Sequence, residues 1–168
     1  MKTKRLLLLS LFSAQACILF IIESLIPIPF IAPGAKLGLA NIIILFCLYT
    51  YGLKDSLIVL FMKIFITTIF VGSMSTFIYS FSGGLLSLIL MYIFKTLGNK
   101  NISIIGVSII GALSHSIGQI IIASIIINNI NILYYLPYLL MSSLATGFLI
   151  GLIDKHLILS LNKLYILK

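Results

Sequence analysis

Charged residues are scarce in this sequence, and acidic residues are the scarcest. Only three acids, Glu23, Asp55 and Asp154, occur in 168 residues, and charged residues make up 8% of the chain. A soluble domain carries about 25% charged residues, so this chain cannot cover a surface that faces water. A magnesium-diphosphate site normally needs several carboxylates together. The three acids are far apart in the sequence, which argues against such a site.

Motifs of nucleotide and nucleophile chemistry are absent as well. There is no GxxxxGK[ST] loop, so no nucleotide-hydrolysing site is expected. Cys17 and Cys47 lie within apolar segments without CxxC spacing, which is typical of inert buried thiols. Ser114 and His115 are adjacent on a predicted helix and do not form a catalytic pair. We therefore predict no enzyme activity, no catalytic residues, no metal and no cofactor.

Long apolar runs are what the sequence does contain. It is 61% hydrophobic, with a mean hydropathy of +1.28. A spanning helix needs roughly 20 apolar residues, so the length predicts an all-α bundle of six transmembrane helices. We expect one integral membrane domain over residues 1–168, multi-pass in the cell membrane. The predicted helices cover residues 6–27, 38–51, 56–72, 76–94, 102–127 and 132–153, with an interfacial tail at 156–167.

The basic residues predict the orientation. With the N-terminus inside, only Lys36 falls outside and Lys63 falls within helix 3. The cytoplasmic set is Lys2, Lys4, Arg5, Lys54, Lys95, Lys100, Lys155, Lys163 and Lys168. This bias favours six spans with both termini cytoplasmic. The net charge of +8 then reflects topology, and no nucleic-acid partner is expected. The N-terminal run resembles a signal peptide but lacks a convincing cleavage site, so we interpret it as a retained helix.

The stretch from Glu23 to Asn41 cannot be a plain membrane helix, because it holds three of the four prolines. We expect a helix to end near Pro27, a loop to occupy residues 28–37, and a new helix to start around Gly38. Irregular backbone this apolar suits a loop packed into the mouth of a bundle. It is either a surface loop or a cap over a ligand pocket.

Glu23, Lys63 and His115 are ionisable residues inside predicted spans, and Gln119 lies one turn from His115 on the same face. Such residues are costly in a bilayer and usually face the bundle interior with partners. Three interpretations remain open. They form a structural polar network, they line a ligand pocket together with Lys36, or they form a proton or ion path.

Glycines predict where helices approach closely. Gly83 and Gly84 on helix 4, and Gly147 and Gly151 on helix 6, lie in small-residue patterns. Small residues let membrane helices pack tightly, so these four positions are expected to face other helices.

Several motifs together resemble a known family. They are Glu23-Ser24-x-x-Pro27, Pro33-Gly34-x-Lys36-Leu37-Gly38-Leu39-Ala40-Asn41, Ser82-Gly83-Gly84, Gly111-Ala112-x-x-His115-x-x-Gly118-Gln119 and Tyr135-Leu136-Pro137. This combination resembles the bacterial Gx transporter family, also catalogued as heptaprenyl diphosphate synthase component I, over about residues 6–152. Ser116 stands where asparagine is more usual, and Lys63 where arginine is common.

The family's layout is similar to the substrate-binding S-components of energy-coupling-factor vitamin transporters. The resemblance implies a small-molecule binding and uptake subunit, with the ligand near the outer face under the loop after helix 1. The implied site residues are Glu23, Lys36, Asn41, His115 and Gln119, and Lys63 would pair inside the bundle. Implied partners are an unidentified small molecule, membrane lipids and separate coupling or ATPase subunits. Two alternatives stay open: an accessory membrane subunit of polyprenyl diphosphate synthesis, and a membrane component of an envelope quinone or flavin redox assembly.

Overall fold

A computed structural model describes residues 2–25, 38–70, 74–98 and 102–163. A 3-10 helix, Ile130–Tyr135, leads into the last helix. The α-helices are α1 (Lys2–Leu25), α2 (Asn41–Thr50), α3 (Leu53–Phe70), α4 (Met74–Leu97), α5 (Ile104–Ile126) and α6 (Leu136–Lys163). The described ranges contain no strand, and the all-α prediction is confirmed.

Four segments are long and apolar enough to cross a membrane. They are Thr3–Leu25, Met74–Leu97, Ile104–Ile126 and Ile130–Leu161. The 18-residue α3 carries Lys54, Asp55 and Lys63. At 10 residues, α2 is about 15 Å long, half the thickness of a bilayer core. The described chain thus has six α-helices, and spanning by all six stays a prediction.

The largest difference from the predicted boundaries lies in α6. The sequence predicted a helix ending at 153 and a separate tail from 156, whereas α6 runs without a break from Leu136 to Lys163. Beyond residue 153, the side chain of Asp154 is 0% exposed and that of Ile158 is 8% exposed. The buried face of α6 therefore continues past residue 153 and supports one long helix.

Five helices form an arc around α2. Contacts run from α1 to α3, then to α4, α5 and α6, while α2 touches α1, α3, α4 and α6 from inside. The apolar core forms where α2 meets its neighbours; it comprises Ile44, Leu45, Leu48, Leu60, Ile64, Leu88, Met91, Val107 and Ile150. A cleft separates α1 from α6 at the ends of the arc.

Glycines allow the close approach of these helices. A Cβ on Gly84 would lie 2.8 Å from Leu60 Cδ1, and one on Gly83 would lie 2.8 Å from the His115 carbonyl oxygen. On α6, a Cβ on Gly151 would lie 2.6 Å from Ile105 Cα. The prediction that these glycines face other helices is confirmed, and Gly147 likewise faces α5.

An ion pair joins α1 to the beginning of α3. Arg5 Nε donates to Asp55 Oδ2 at 3.1 Å, and Arg5 Nη2 donates to Asp55 Oδ1. Asp55 is 2% exposed, and the hydrogen bonds from Arg5 compensate its buried charge. Gly52, with φ +89°, makes the sharp turn from α2 that brings Asp55 into place.

Candidate functional site

The site is built where the end of α1 meets the beginning of α2. Glu23, 4% exposed, lies in the last turn of α1. Its Oε1 accepts from the backbone N–H of Gly38 at 2.7 Å, and its Oε2 accepts from the N–H of Leu39 at 3.0 Å. Ala40, the N-cap of α2, has no side-chain cap. Glu23 therefore binds the backbone just before α2 from outside the helix, where negative charge is favoured.

Gly38 connects this turn to the polar face of α5. Its φ is +88°, a conformation that L side chains rarely adopt. A Cβ here would lie 2.9 Å from Asn41 Nδ2 and 3.4 Å from His115 Cδ2. The missing side chain lets the turn held by Glu23 rest directly against the imidazole of His115.

His115 and Gln119 form a buried pair on α5. His115 Nε2 lies 3.1 Å from Gln119 Nε2, and the two residues are 2% and 3% exposed. An amide nitrogen can only donate, so His115 Nε2 acts as acceptor and Nδ1 carries the proton of the neutral ring. Nδ1 faces Gly83, where a Cβ would lie 3.1 Å away, but makes no hydrogen bond of good geometry.

Close contact between α4 and α5 holds His115 in place. Ser82 Oγ donates to the Gly118 carbonyl at 3.2 Å. A Cβ on Gly118 would lie 3.0 Å from Gly83 Cα. The glycines of the Ser82-Gly83-Gly84 and His115-x-x-Gly118-Gln119 motifs thus meet each other across the helix interface.

Asn41 contributes a donor that has no hydrogen-bond partner among the described residues. It is the first residue of α2 and is 5% exposed, and its Nδ2 makes no hydrogen bond. A buried polar group without a partner is unfavourable, and in native structures it often marks a bound water, ion or ligand. Because Asn41 Nδ2 and His115 both border the Cβ position of Gly38, the donor lies within the polar cluster.

Lys63 of α3 approaches the same region from the side of α1. It is 3% exposed, and its Nζ lies 4.9 Å from the centroid of the Phe20 ring. This is cation–π geometry. Cys17, one turn before Phe20, places its Sγ 3.9 Å from the Lys63 carbonyl oxygen. Lys63 is thus directed into the bundle, where an ionisable residue inside a predicted span is expected to lie.

The structure therefore assembles most of the predicted site residues. Glu23, Asn41, His115 and Gln119 meet around Gly38, and all four are buried. Lys36 and the predicted loop at residues 28–37 lie outside the described residues. Gly38 and Phe20 were not predicted to take part. Gly38 gave a signal, as a glycine before a helix start, but the contact of Phe20 with Lys63 depends on how α1 packs against α3.

A second feature is the cleft between α1 and α6. Its volume is about 540 Å³, within the range of ligand pockets. Apart from Gln15 and Ser160 its lining is apolar, consisting of Phe12, Ile18, Leu19, Ile43, Phe46, Leu157 and Leu161. The sequence did not predict this cleft, because its walls combine α1 and α2 with α6 from the other end of the chain.

A bundle with four apolar helices of spanning length and a buried polar cluster defines a helical membrane protein. A sequence model of the heptaprenyl diphosphate synthase component I family matches residues 12–157, and the chain belongs to this family. The match covers the polar cluster and the cleft almost completely, and it confirms the family that the motifs indicated. Neither a curated protein nor a solved structure matches the chain. The likeness to S-components therefore rests on the sequence motifs alone.

Proposed function

We propose that the chain is a membrane-embedded subunit that binds a small molecule for uptake, with its site at the polar cluster around Gly38. The observation that carries this proposal is the Asn41 amide, a buried donor that has no acceptor in the part of the chain that the structure describes. All six helices would span the cell membrane, with both termini in the cytoplasm, as the basic residues predict.

The contacts suggest a different role for each residue. Both carboxylate oxygens of Glu23 accept backbone N–H groups, so Glu23 would position the start of α2. Asn41 would donate to the ligand, while His115 and Gln119 would form the wall opposite α2. Lys36 would cap the site and add positive charge. Such a set of donors fits a ligand with carbonyl or carboxylate oxygens.

Energy for uptake would come from other chains. The sequence has no nucleotide-hydrolysing loop, so separate coupling and ATPase subunits, as in the S-component arrangement, would drive release of the ligand. Membrane lipids would surround the exposed apolar side chains, which include Leu25, Ile69, Phe70 and Met74.

The test is mass spectrometry of small molecules retained on the detergent-purified protein. The unaltered chain should retain a polar compound, and Asn41→Ala should lose it while keeping the thermal stability of the fold, because Asn41 Nδ2 bonds to none of the described residues. Asn131→Ala is the matched control, since Asn131 is exposed. The same retained compound in Asn41→Ala and in the unaltered protein would refute this site.

A second candidate is an accessory membrane subunit of polyprenyl diphosphate synthesis. The family description and the apolar cleft between α1 and α6 favour it, because a polyprenyl chain is apolar and would match the cleft lining. Co-purification with a prenyltransferase, together with retention of a polyprenyl compound that Phe46→Ala weakens and Asn41→Ala leaves intact, would support this function over uptake.

A further inference from the structure

Asp154 is a buried acid that has no partner among the residues that the structure describes. Its side chain is 0% exposed, and neither Oδ1 nor Oδ2 makes a hydrogen bond. The other two acids are compensated, Glu23 by the N–H groups of Gly38 and Leu39, and Asp55 by Arg5. Asp154 therefore differs in kind from the acids that hold the fold together.

Asp154 lies on the face of α6 that packs against α5. Gly147, Gly151 and Asp154 follow a spacing of four and three, so they share one helical stripe. A Cβ on Gly147 would lie 2.9 Å from Ile109 Cα, and one on Gly151 would lie 2.6 Å from Ile105 Cα. Along the stripe, α6 thus approaches the first turn of α5, and Asp154 comes next.

Ser108 adds a second polar group without a partner to this interface. Its Cβ lies 3.0 Å from the Cβ position of Gly151, and its Oγ is buried and makes no hydrogen bond. The surrounding packing is apolar, with Val107 of α5 and Ile150 of α6 in the main core. The interface between α5 and α6 is therefore an environment in which an ionised carboxylate is strongly disfavoured.

A proton satisfies Asp154 better than a metal cation does. Hard cations need several oxygen ligands, and no group of three His, Cys, Asp or Glu side chains in the described ranges could hold a metal. A proton needs one oxygen and removes the charge. We propose that Asp154 is a proton-binding site, occupied at neutral pH while α5 and α6 are packed together.

Within the described residues, no charged group offers an alternative partner. The elements packed against α6 are α5, α2 and the 3-10 helix. Their titratable side chains are His115, Cys47, Tyr49, Tyr134 and Tyr135, and none bonds Asp154. On α6 itself Lys155 and His156 are exposed, and His156 Nδ1 lies 3.0 Å from the Leu152 carbonyl oxygen.

At this site, the packing of α6 against α5 is coupled to the binding of a proton by Asp154. When α6 separates from α5 and water enters, the O–H bond of the acid breaks, its electron pair stays on the carboxylate, and the proton passes to water. Repacking reverses the step.

Isotope-edited infrared spectroscopy tests the proposal, because the chain has only two aspartates, Asp55 and Asp154. The full-length protein in detergent is compared with and without carboxyl-¹³C aspartate at neutral pH. We expect one carboxylic-acid C=O band that shifts on labelling, and a carboxylate band from Asp55. Asp154→Asn should remove the acid band, and Asp55→Asn should leave it. Carboxylate bands alone would overturn the proposal.

Two further measurements keep the test decisive. If Asp154→Asn does not fold, the unaltered protein is instead treated with dicyclohexylcarbodiimide. This reagent modifies protonated carboxyls in apolar surroundings. An adduct on the peptide of Asp154 and none on that of Asp55 is expected, and the reverse pattern contradicts the proposal. The spectra are also recorded in sodium and in choline salts. A carboxylate band of Asp154 that shifts with sodium would identify a metal-cation site and would contradict proton binding at Asp154.

Discussion

At the scale of single residues, Glu23 shows how an ionisable group inside a membrane segment can be structural and still serve a site. An intramembrane carboxylate is costly unless it is compensated, and two backbone N–H groups at 2.7 and 3.0 Å provide that compensation. By fixing Gly38 against His115, the carboxylate determines where the unpartnered Asn41 donor lies. The structural and ligand-pocket interpretations are therefore not exclusive at this residue.

We expect Glu23→Gln to destabilise the fold. The amide can accept one N–H with its oxygen, but its NH2 group meets the second N–H donor, which loses its partner. Loss of a buried charge-assisted hydrogen bond costs about 1.5–3 kcal/mol. Thermal unfolding in detergent should show a lower midpoint for Glu23→Gln and little change for Gln15→Ala, an exposed position on the same helix. Equal midpoints would show that the two N–H groups do not depend on the carboxylate.

Gly38 and Gly52 form a matched pair for a second prediction at this scale. Their φ angles are +88° and +89°, yet a Cβ on Gly52 meets nothing within 4 Å, while one on Gly38 meets Asn41 and His115. Alanine at either position pays about 1–2 kcal/mol for the left-handed backbone. Gly38→Ala should lower the unfolding midpoint further, because it also displaces the polar cluster. If both variants lose the same stability, Gly38 acts through its backbone alone.

At the scale of elements, the sequence predicted helices well wherever apolar runs end at strong signals. The short α2 and the turn at Gly52 that separates it from α3 follow from local chemistry. The predicted end of the first helix near Pro27 lies outside the described residues. The continuation of α6 past Asp154 could not be predicted in this way, since a charged residue beside Lys155 looks like an exposed helix end. Only the packing of α6 on α5 shows that this acid is buried.

Glycines on different helices should tolerate substitution differently. A Cβ on Gly84 meets a methyl group of Leu60, which can rotate away, whereas one on Gly151 meets Ile105 Cα at 2.6 Å, which is backbone. Gly151→Ala should therefore force α5 and α6 apart and lower the yield of monodisperse protein in detergent far more than Gly84→Ala. Leu90→Ala serves as the packing control. Equal yields for the two glycine variants would mean that α6 shifts freely along α5.

At the scale of the whole molecule, α2 organises the bundle although it is the shortest of the six described α-helices. It contacts four helices of the surrounding arc and presents its first turn to the polar cluster. Composition predicted the membrane class, and the ionisable residues marked most of the site. The cleft between α1 and α6 and the role of Gly38 were not predictable, because both depend on which helices become neighbours.

Orientation in the membrane is tested with two exposed positions. Asn129 precedes the 3-10 helix and Lys54 lies in the first turn of α3, so both are accessible to water-soluble reagents on their own side. The basic residues predict that Asn129 is outside and Lys54 inside. In intact cells, a membrane-impermeant maleimide should label Asn129→Cys and should label Lys54→Cys only after the cells are opened. Cys17 and Cys47 are buried and should contribute little background. External labelling of Lys54→Cys, without labelling of Asn129→Cys, would invert the bundle and place the proton site at Asp154 toward the outside.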